Sequence, residues 1–313
     1  MRIILVFLIS LSFIGCSKPH DPPAPPLSVD TLSTGWRKVT VASLPSAADI
    51  FFINNTTGFV CGSNVICRST DGGNTWQKVY QSAAPQFVNI AMGSATNAVF
   101  VTNGGPQKMF VTSDGGNSFD SVVIADNSIS DAFFVSPTVA YAIGQKCWKS
   151  TNGGRNWTSL FDLSSGGYKS LHFLNEQTGW CAGTGGVFYT SNGGVNWTPQ
   201  TVSGFSFNAT GNVYFVDANN GYISDETSVG KSTNGGGTWT KVYTFDGGYH
   251  DLHFITPLSG YVTDGYSIFK TIDGGASWTK VVRVASFGII ELHFTDANHG
   301  WATGGAGYIL KYE

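Results

Sequence analysis

The sequence predicts an all-β chain folded as a seven-bladed β-propeller of four-stranded blades, on the strength of three observations. STDGGNTW (69–76) recurs five more times at nearly constant spacing. The chain holds 40 Gly, 22 Phe, 12 Tyr and 9 Trp in 313 residues with no long helical periodicity, which marks short strands and tight turns. A strand near the N-terminus also matches the one that the C-terminal repeat lacks.

The chain opens MRIILVFLISLSFIGC: Arg2, an apolar run from Ile3 to Ile14, then Gly15 and Cys16. Residues 1–15 read as a secretory signal, too short to span a bilayer comfortably. A small residue before Cys at the end of the run resembles a bacterial lipoprotein box, with cleavage before Cys16 and a lipid attached there; a simple cleavable signal is the alternative. Residues 16–33 are rich in proline and read as a semi-rigid, lipid-anchored linker. The expected location is exported, periplasmic or on the outer membrane or cell surface.

From residue 34 the repeats begin. The first glycine of each pair falls at 72, 115, 153, 193, 235 and 274, a period near forty. SLHFLNEQTGWCAGTGGVFYTSNGGVNWTPQ, with the preceding Lys169, shows the unit: strand a (KSLHFL), a polar turn, strand b (GWCAG), a glycine turn, strand c (VFYTS), the NGG reversal and strand d (NWTPQ). Such a sheet buries one face only by stacking on the next. After the sixth motif come another strand a (ELHF), b (GWATGG) and c (YILKYE), and the chain stops. TGWRKVTV (34–41) matches the post-motif strands TWQKVYQ and TWTKVYT, so residues 35–41 are expected to close the seventh blade, giving a propeller over 34–313. Ending on a blade strand, the chain is expected to carry no C-terminal sorting domain.

The motif itself reads as a turn. Its acidic position is Asp71, Asp114, Asn152, Asn192, Asn234 and Asp273. Asn keeps the acceptor oxygen but loses charge and proton chemistry. An Asx turn survives that exchange, whereas a catalytic carboxylate or strong calcium ligand does not.

S/T-x-D/N-x-G-x-x-W/F resembles the Asp-box, or BNR, repeat of sialidases, xyloglucan-active propellers and sortilin-type receptors. The fuller repeat, hF-x5-GW-x-G-x-G-x6-DGG-x-x-W, is similar to that of the photosystem II stability/assembly-factor family of seven-bladed exported propellers. The resemblance covers residues 34–313 and implies an assembly role beside a newly made photosynthetic membrane protein. That family presents an arginine-rich patch, and past the signal this chain has Arg37, Arg68, Arg155 and Arg283 only, which points away from the photosystem client.

Strand direction puts Arg37, Arg68 and Arg155 at the motif rim, so the three-arginine clamp of a sialidase is not expected. The opposite rim, made by d–a and b–c loops, gathers Asp225, Glu226, Asp246, Tyr249, His250, Asp251, Asp264, Tyr266 and Glu291, with Phe205 and Phe207 in the longest loop. Acid beside aromatics could bind a sugar, a basic peptide or a cation, or could simply cover the blade tops. His172, His253 and His293 each centre an LHF, where sister strands carry Phe51, Phe133 and Tyr214. They read first as hydrogen-bonded packing and second as a metal site.

Cys61, Cys67, Cys147 and Cys181 can be disulfides or buried thiols in an exported protein. No cofactor and no metal are expected. With 17 basic against 20 acidic residues, net charge −3 and no basic stripe, nucleic acid is not an expected partner. The preferred reading is a membrane-tethered, monomeric, non-catalytic interaction propeller, an assembly or scaffold factor for envelope proteins. The alternative is a glycan-binding or glycan-cleaving propeller using blades 5–7.

Overall fold

The computed structural model describes residues 30–83, 86–103, 108–125, 128–163, 167–207, 211–245, 251–285, 288–305 and 307–313. Among them every regular element is a strand, and the strands form seven antiparallel sheets. The innermost strands are Asp49–Phe52, Gln86–Met92, Asp131–Phe134, Tyr168–Phe173, Asn212–Phe215, Leu252–Phe254 and Ile289–Asp296. Each lies against the next and the last lies against the first, so the ring is closed around a central channel.

Closure is made by the N-terminal segment. Trp36–Thr40 pairs antiparallel with Tyr308–Tyr312, Trp36 opposite Tyr312 and Thr40 opposite Tyr308, as the outer strand of blade 7. The ordered domain also starts earlier than the linker reading allowed. Thr31–Leu32 adds a fifth strand to blade 6, Thr31 opposite Arg283 and Leu32 opposite Val282, and Lys38 pairs with Asp30. The segment therefore straps two adjacent blades.

The repeat pattern explains the packing. In the GW pair the glycine leaves room for the Phe that ends strand a: a Cβ on Gly300 would sit 2.1 Å from the Phe294 ring. The aromatic after that position, which is Ala140 in blade 3 and glycine in the others below, stacks on the equivalent Phe of the next blade. Tyr141 on Phe173, Trp180 on Phe215, Tyr222 on Phe254, Tyr261 on Phe294 and Trp301 on Phe52 all lie 3.3–4.1 Å apart and within 11° of parallel. The motif Trp of the same blade meets that Phe edge-on, as Trp76 does Phe52 at 5.7 Å, and Trp36 does this for blade 7 at 6.1 Å from Phe294. Each such pair adds about 0.5–1.5 kcal/mol beyond burial.

The four cysteines are buried free thiols. Cys61 lies opposite Ile66 and Cys67 opposite Val60, so the two sit one register step apart and face opposite sides of the blade. Cys61 packs with Phe87 and Phe100 of blade 2, and Cys67 with Trp301 of blade 7. Their closeness in sequence does not bring the sulfurs together.

Candidate functional site

The channel opens at the rim where the inner strands begin, as a cavity of about 900 Å3. Its mouth is built from one position of the repeat, the polar residue at the head of each strand a. Asp49, Asn89, Asp131, Ser170, Asn212, Asp251 and Glu291 occupy it in blades 1 to 7. In blades 2, 4 and 7 a bulge just before it, between Phe87 and Asn89, Tyr168 and Ser170, and Ile289 and Glu291, sets the side chain's aim.

These side chains stitch the blades. Asp49 Oδ2 accepts the Ile90 N–H at 2.6 Å, and Asn89 Oδ1 the Ala132 N–H at 3.1 Å. Asp131 Oδ2 accepts the Leu171 N–H at 2.7 Å, Ser170 Oγ the Val213 N–H at 3.1 Å, and Asp251 Oδ2 the Leu292 N–H at 2.7 Å. In each case the donor is the next residue position of the following blade. Asn89 and Asn212 also donate to Asp131 and Asp251, and Asp251 and Glu291 hydrogen-bond each other.

Burial in this ring favours neutral acids. It pushes Asp131 up to about 7, against the pull of the Leu171 N–H. Asp49 and Asp251 rise for the same reason. Glu291 is raised furthest, by burial and then by Asp251 and Asp49. Burial therefore favours a proton held within the Asp251–Glu291 pair.

Two residues deeper the wall is aromatic. Phe133, His172, Tyr214, His253, His293 and Phe51 follow one another with ring centroids 4.4–5.4 Å apart. His293 Nε2 donates to the Phe52 carbonyl at 2.8 Å, and His172 and His253 bond the Phe215 and Phe294 carbonyls. Burial lowers His172 and His293 to about 4, so the imidazoles are neutral. Tyr214 stands between His172 and His253. Among the described residues no three His, Cys, Asp or Glu side chains converge closely enough to hold a metal ion.

The motifs lie at the other rim. Ser69 Oγ donates to Asp71 Oδ1 at 2.8 Å while accepting the Gly73 N–H at 2.8 Å. Asp71 takes the Thr75 N–H at 2.9 Å and the Thr75 hydroxyl at 2.6 Å. Gly72 and Gly73 both adopt positive φ, 72° and 84°, which L side chains resist. Asn192 accepts the same two bonds, from Thr190 Oγ at 3.0 Å and the Asn196 N–H at 2.9 Å. Asp114 and Asp273 each take a second hydroxyl, from Ser118 and Ser277. In the Asn234 copy the hydroxyl reverses and Thr238 accepts from Asn234 Nδ2 at 3.1 Å, while Asn152 accepts the Asn156 N–H at 2.9 Å. The side-chain oxygen is what every copy uses.

Residues 29–171 match the sequence model of the family described as Photosynthesis system II assembly factor YCF48. That stretch is just under half of the chain, which is a BNR-repeat propeller similar to this family there. The photosystem II assembly lipoprotein Ycf48 of Prochlorococcus marinus is 31% identical over 78 residues, 25% of this chain and 21% of that protein, so the aligned part spans about a fifth of the relative's length. The structure of YCF48 bound to D1 peptide superposes with a TM-score of 0.72 at 18% identity, over 89% of this chain and 96% of that one. YCF48 from Cyanidioschyzon merolae gives 0.73 at 18%, over 89% and 99%. At these identities the structural likeness speaks for the fold.

In this propeller the arginines brace neighbouring motifs at the lower rim. Arg68 donates to the Gly115 carbonyl at 2.6 Å, Arg155 to Ser113 Oγ at 2.5 Å, and Arg37 to Asn74 and, at 2.9 Å, to Glu313. Arg283, at the upper rim, bonds Ser267 Oγ at 3.1 Å and lies over the Tyr266 ring. The four are spread over both rims and form no common clamp.

Of the acidic and aromatic face read from the sequence, Asp251 and Glu291 fall in the channel ring. Asp225 is buried and accepts the Ser206, Thr227 and Ser228 N–H groups, and Asp264 those of Tyr266 and Ser267, so both tie loops. Phe207 is buried beside Trp180 and Val213, and Phe205 stacks on it. Tyr266 is exposed and Glu226 half-buried. Asp246, Tyr249 and His250 lie outside the described residues, as does Cys16. Sequence reasoning passed over Asp49, Asn89, Asp131, Ser170 and Asn212. The signal was present: aligned on the Phe or Met that ends the four, DIFF, NIAM, DAFF, SLHF, NVYF, DLHF and ELHF all open on a polar residue.

Proposed function

We propose that this protein is an exported lipoprotein, anchored through Cys16, whose monomeric propeller is a non-catalytic scaffold holding a protein client during assembly in a cell envelope. The observation that carries the reading is the use made of the two neighbouring acids Asp251 and Glu291 at the channel mouth. A glycosidase keeps its two carboxyls about 5–9.5 Å apart to admit the scissile bond. Asp251 and Glu291 instead hydrogen-bond each other, and Asp251 is further held by Leu292 N–H and Asn212. What remains is a recess on a rigid ring. The name of the Prochlorococcus relative, an assembly lipoprotein, and the D1 peptide bound to a structural neighbour support a protein client and a lipid anchor.

The test is photo-crosslinking in intact cells from exposed Tyr266, replaced by a photoreactive residue, with fractionation of a Cys16→Ala form alongside. A discrete crosslinked client and release of Cys16→Ala from the membrane are expected. The glycan reading wins if the purified chain turns over a glycan and Asp251→Asn abolishes turnover with the fold intact.

A further inference from the structure

Four carboxyls from four blades face the 900 Å3 channel mouth: Asp49, Asp131, Asp251 and Glu291. None has a cationic partner within 4 Å among the described residues, whereas Asp30, Glu176, Asp296 and Glu313 each have one. Their hydrogen bonds come from neutral donors: Asp49 from the Ile50 and Ile90 N–H groups, Asp131 from Leu171 N–H and Asn89. A carboxylate offers about four acceptor sites, so lone pairs remain. Recessed negative charge satisfied by neutral donors alone is costly, and an entering cation relieves the cost.

The second, independent feature is the wall beneath. Phe51, Phe133 and Tyr214 with the neutral imidazoles offer apolar edges and π faces to whatever passes the ring. Among the described residues no three ligating groups converge on a point, so the geometry suits a broad organic cation on an apolar stem rather than a bare metal ion.

We propose that the channel mouth receives a guanidinium or alkylammonium group, presented as an Arg or Lys side chain by the protein client, with the carboxyl ring accepting its N–H groups and the aromatic wall packing its methylenes. This rests on the client-binding reading above and names the chemistry of the client. The titratable groups facing the site are the four carboxyls, Lys169 at the rim, and His172, Tyr214, His253 and His293 below. Because the carboxyls sit above their ordinary range, a cation selects their deprotonated form and expels protons, so affinity rises from pH 6 to pH 8.

The test is fluorescence anisotropy on the mature chain with fluorescein-labelled Gly-Arg-Gly-Arg-Gly, its Glu counterpart, and spermidine as competitor. The basic peptide should bind, more tightly at pH 8 than at pH 6, and the acidic one should not. Asp251→Asn with Glu291→Gln should weaken binding about tenfold or more, the scale of one charge-assisted hydrogen bond. Lys169 is exposed, so Lys169→Glu leaves packing alone and should tighten binding; this arm stands if the double variant does not fold. No binding of the basic peptide, equal binding of both peptides, or indifference to Lys169→Glu overturns the proposal. Binding of spermidine without the peptide overturns the client form of it. A client crosslink in cells that persists undiminished in the channel variant leaves the scaffold reading standing and removes this one.

Discussion

Trp301, in the last blade, stacks on Phe52, in the first, with ring centroids 3.7 Å apart and planes 6° from parallel, while its indole N–H donates to the Gly72 carbonyl at 3.0 Å. One side chain thus joins the two ends of the ring to each other and to the first motif. Trp301→Ala should cost about 3–5 kcal/mol, the range for a large buried aromatic. Trp301→Phe keeps the stack and loses the hydrogen bond, so about 1 kcal/mol is expected. Urea unfolding of both variants checks the ordering, and equal losses would show that stacking is not what closes the ring.

The two parts of the N-terminal strap should separate on truncation. Removing residues 1–33 deletes the two-residue strand on blade 6 and the Asp30–Lys38 pair, a loss of roughly 1–2 kcal/mol. Removing residues 1–41 also takes Trp36–Thr40 from blade 7 and bares that sheet, so the product should fail to fold. Soluble yield and size-exclusion profile of the two truncations decide it.

At the motif, Asp71→Asn should cost less than Asp71→Ala, which should lose about 1 kcal/mol or more, because Asn keeps the shared oxygen that organises the turn and loses only the charge. Burial acts to raise the Asp71 carboxyl, and the Thr75 and Ser69 hydrogen bonds outweigh it, holding the group at about 2. A depressed carboxyl contributes stability above its ordinary 3.8 and loses it as pH falls toward 2. The deficit of Asp71→Asn should therefore shrink below pH 4 in denaturant melts, and a deficit that grows there would contradict the assignment.

The channel ring has the opposite sign. With Asp131 raised from 3.8 to about 7, the native chain binds more protons than the unfolded chain between those values. Its contribution is full below pH 3.8 and is lost as pH rises through 7. His172, lowered from 6.5 to about 4, runs the other way, losing its contribution as pH falls through that window. It is common to wild type and Asp131→Asn and cancels in their difference. That difference, from urea midpoints at pH 5 and pH 7.5, should move in favour of the variant at the higher pH; a constant difference would place Asp131 in water.

The thiols should be silent. Cys61, Cys67, Cys147 and Cys181 are buried and unbridged, so thermal melting should be the same with and without reductant. A thiol reagent should label them only after denaturation, and a melting temperature that drops in reductant would reveal a bridge.

Blade number, strand order and closure by the N-terminal strand were legible in the sequence because a propeller repeats one packing problem. The GW glycine, the terminal Phe of strand a and the motif Trp recur at fixed spacing since each blade presents the same faces to its neighbours. The same comparison read the motif as a turn, because Asn stands for Asp wherever only an oxygen is needed. The channel ring was not legible. Its members differ as Asp, Asn, Ser and Glu, are about forty residues apart, and become one feature only when seven strands converge on an axis. Likewise Asp225 and Asp264 look like ligand groups in the chain, and only the loop geometry turns their oxygens onto backbone N–H groups. Periodic apolar contacts are written along the chain, whereas a site made of single side chains from different blades exists only once the ring has closed.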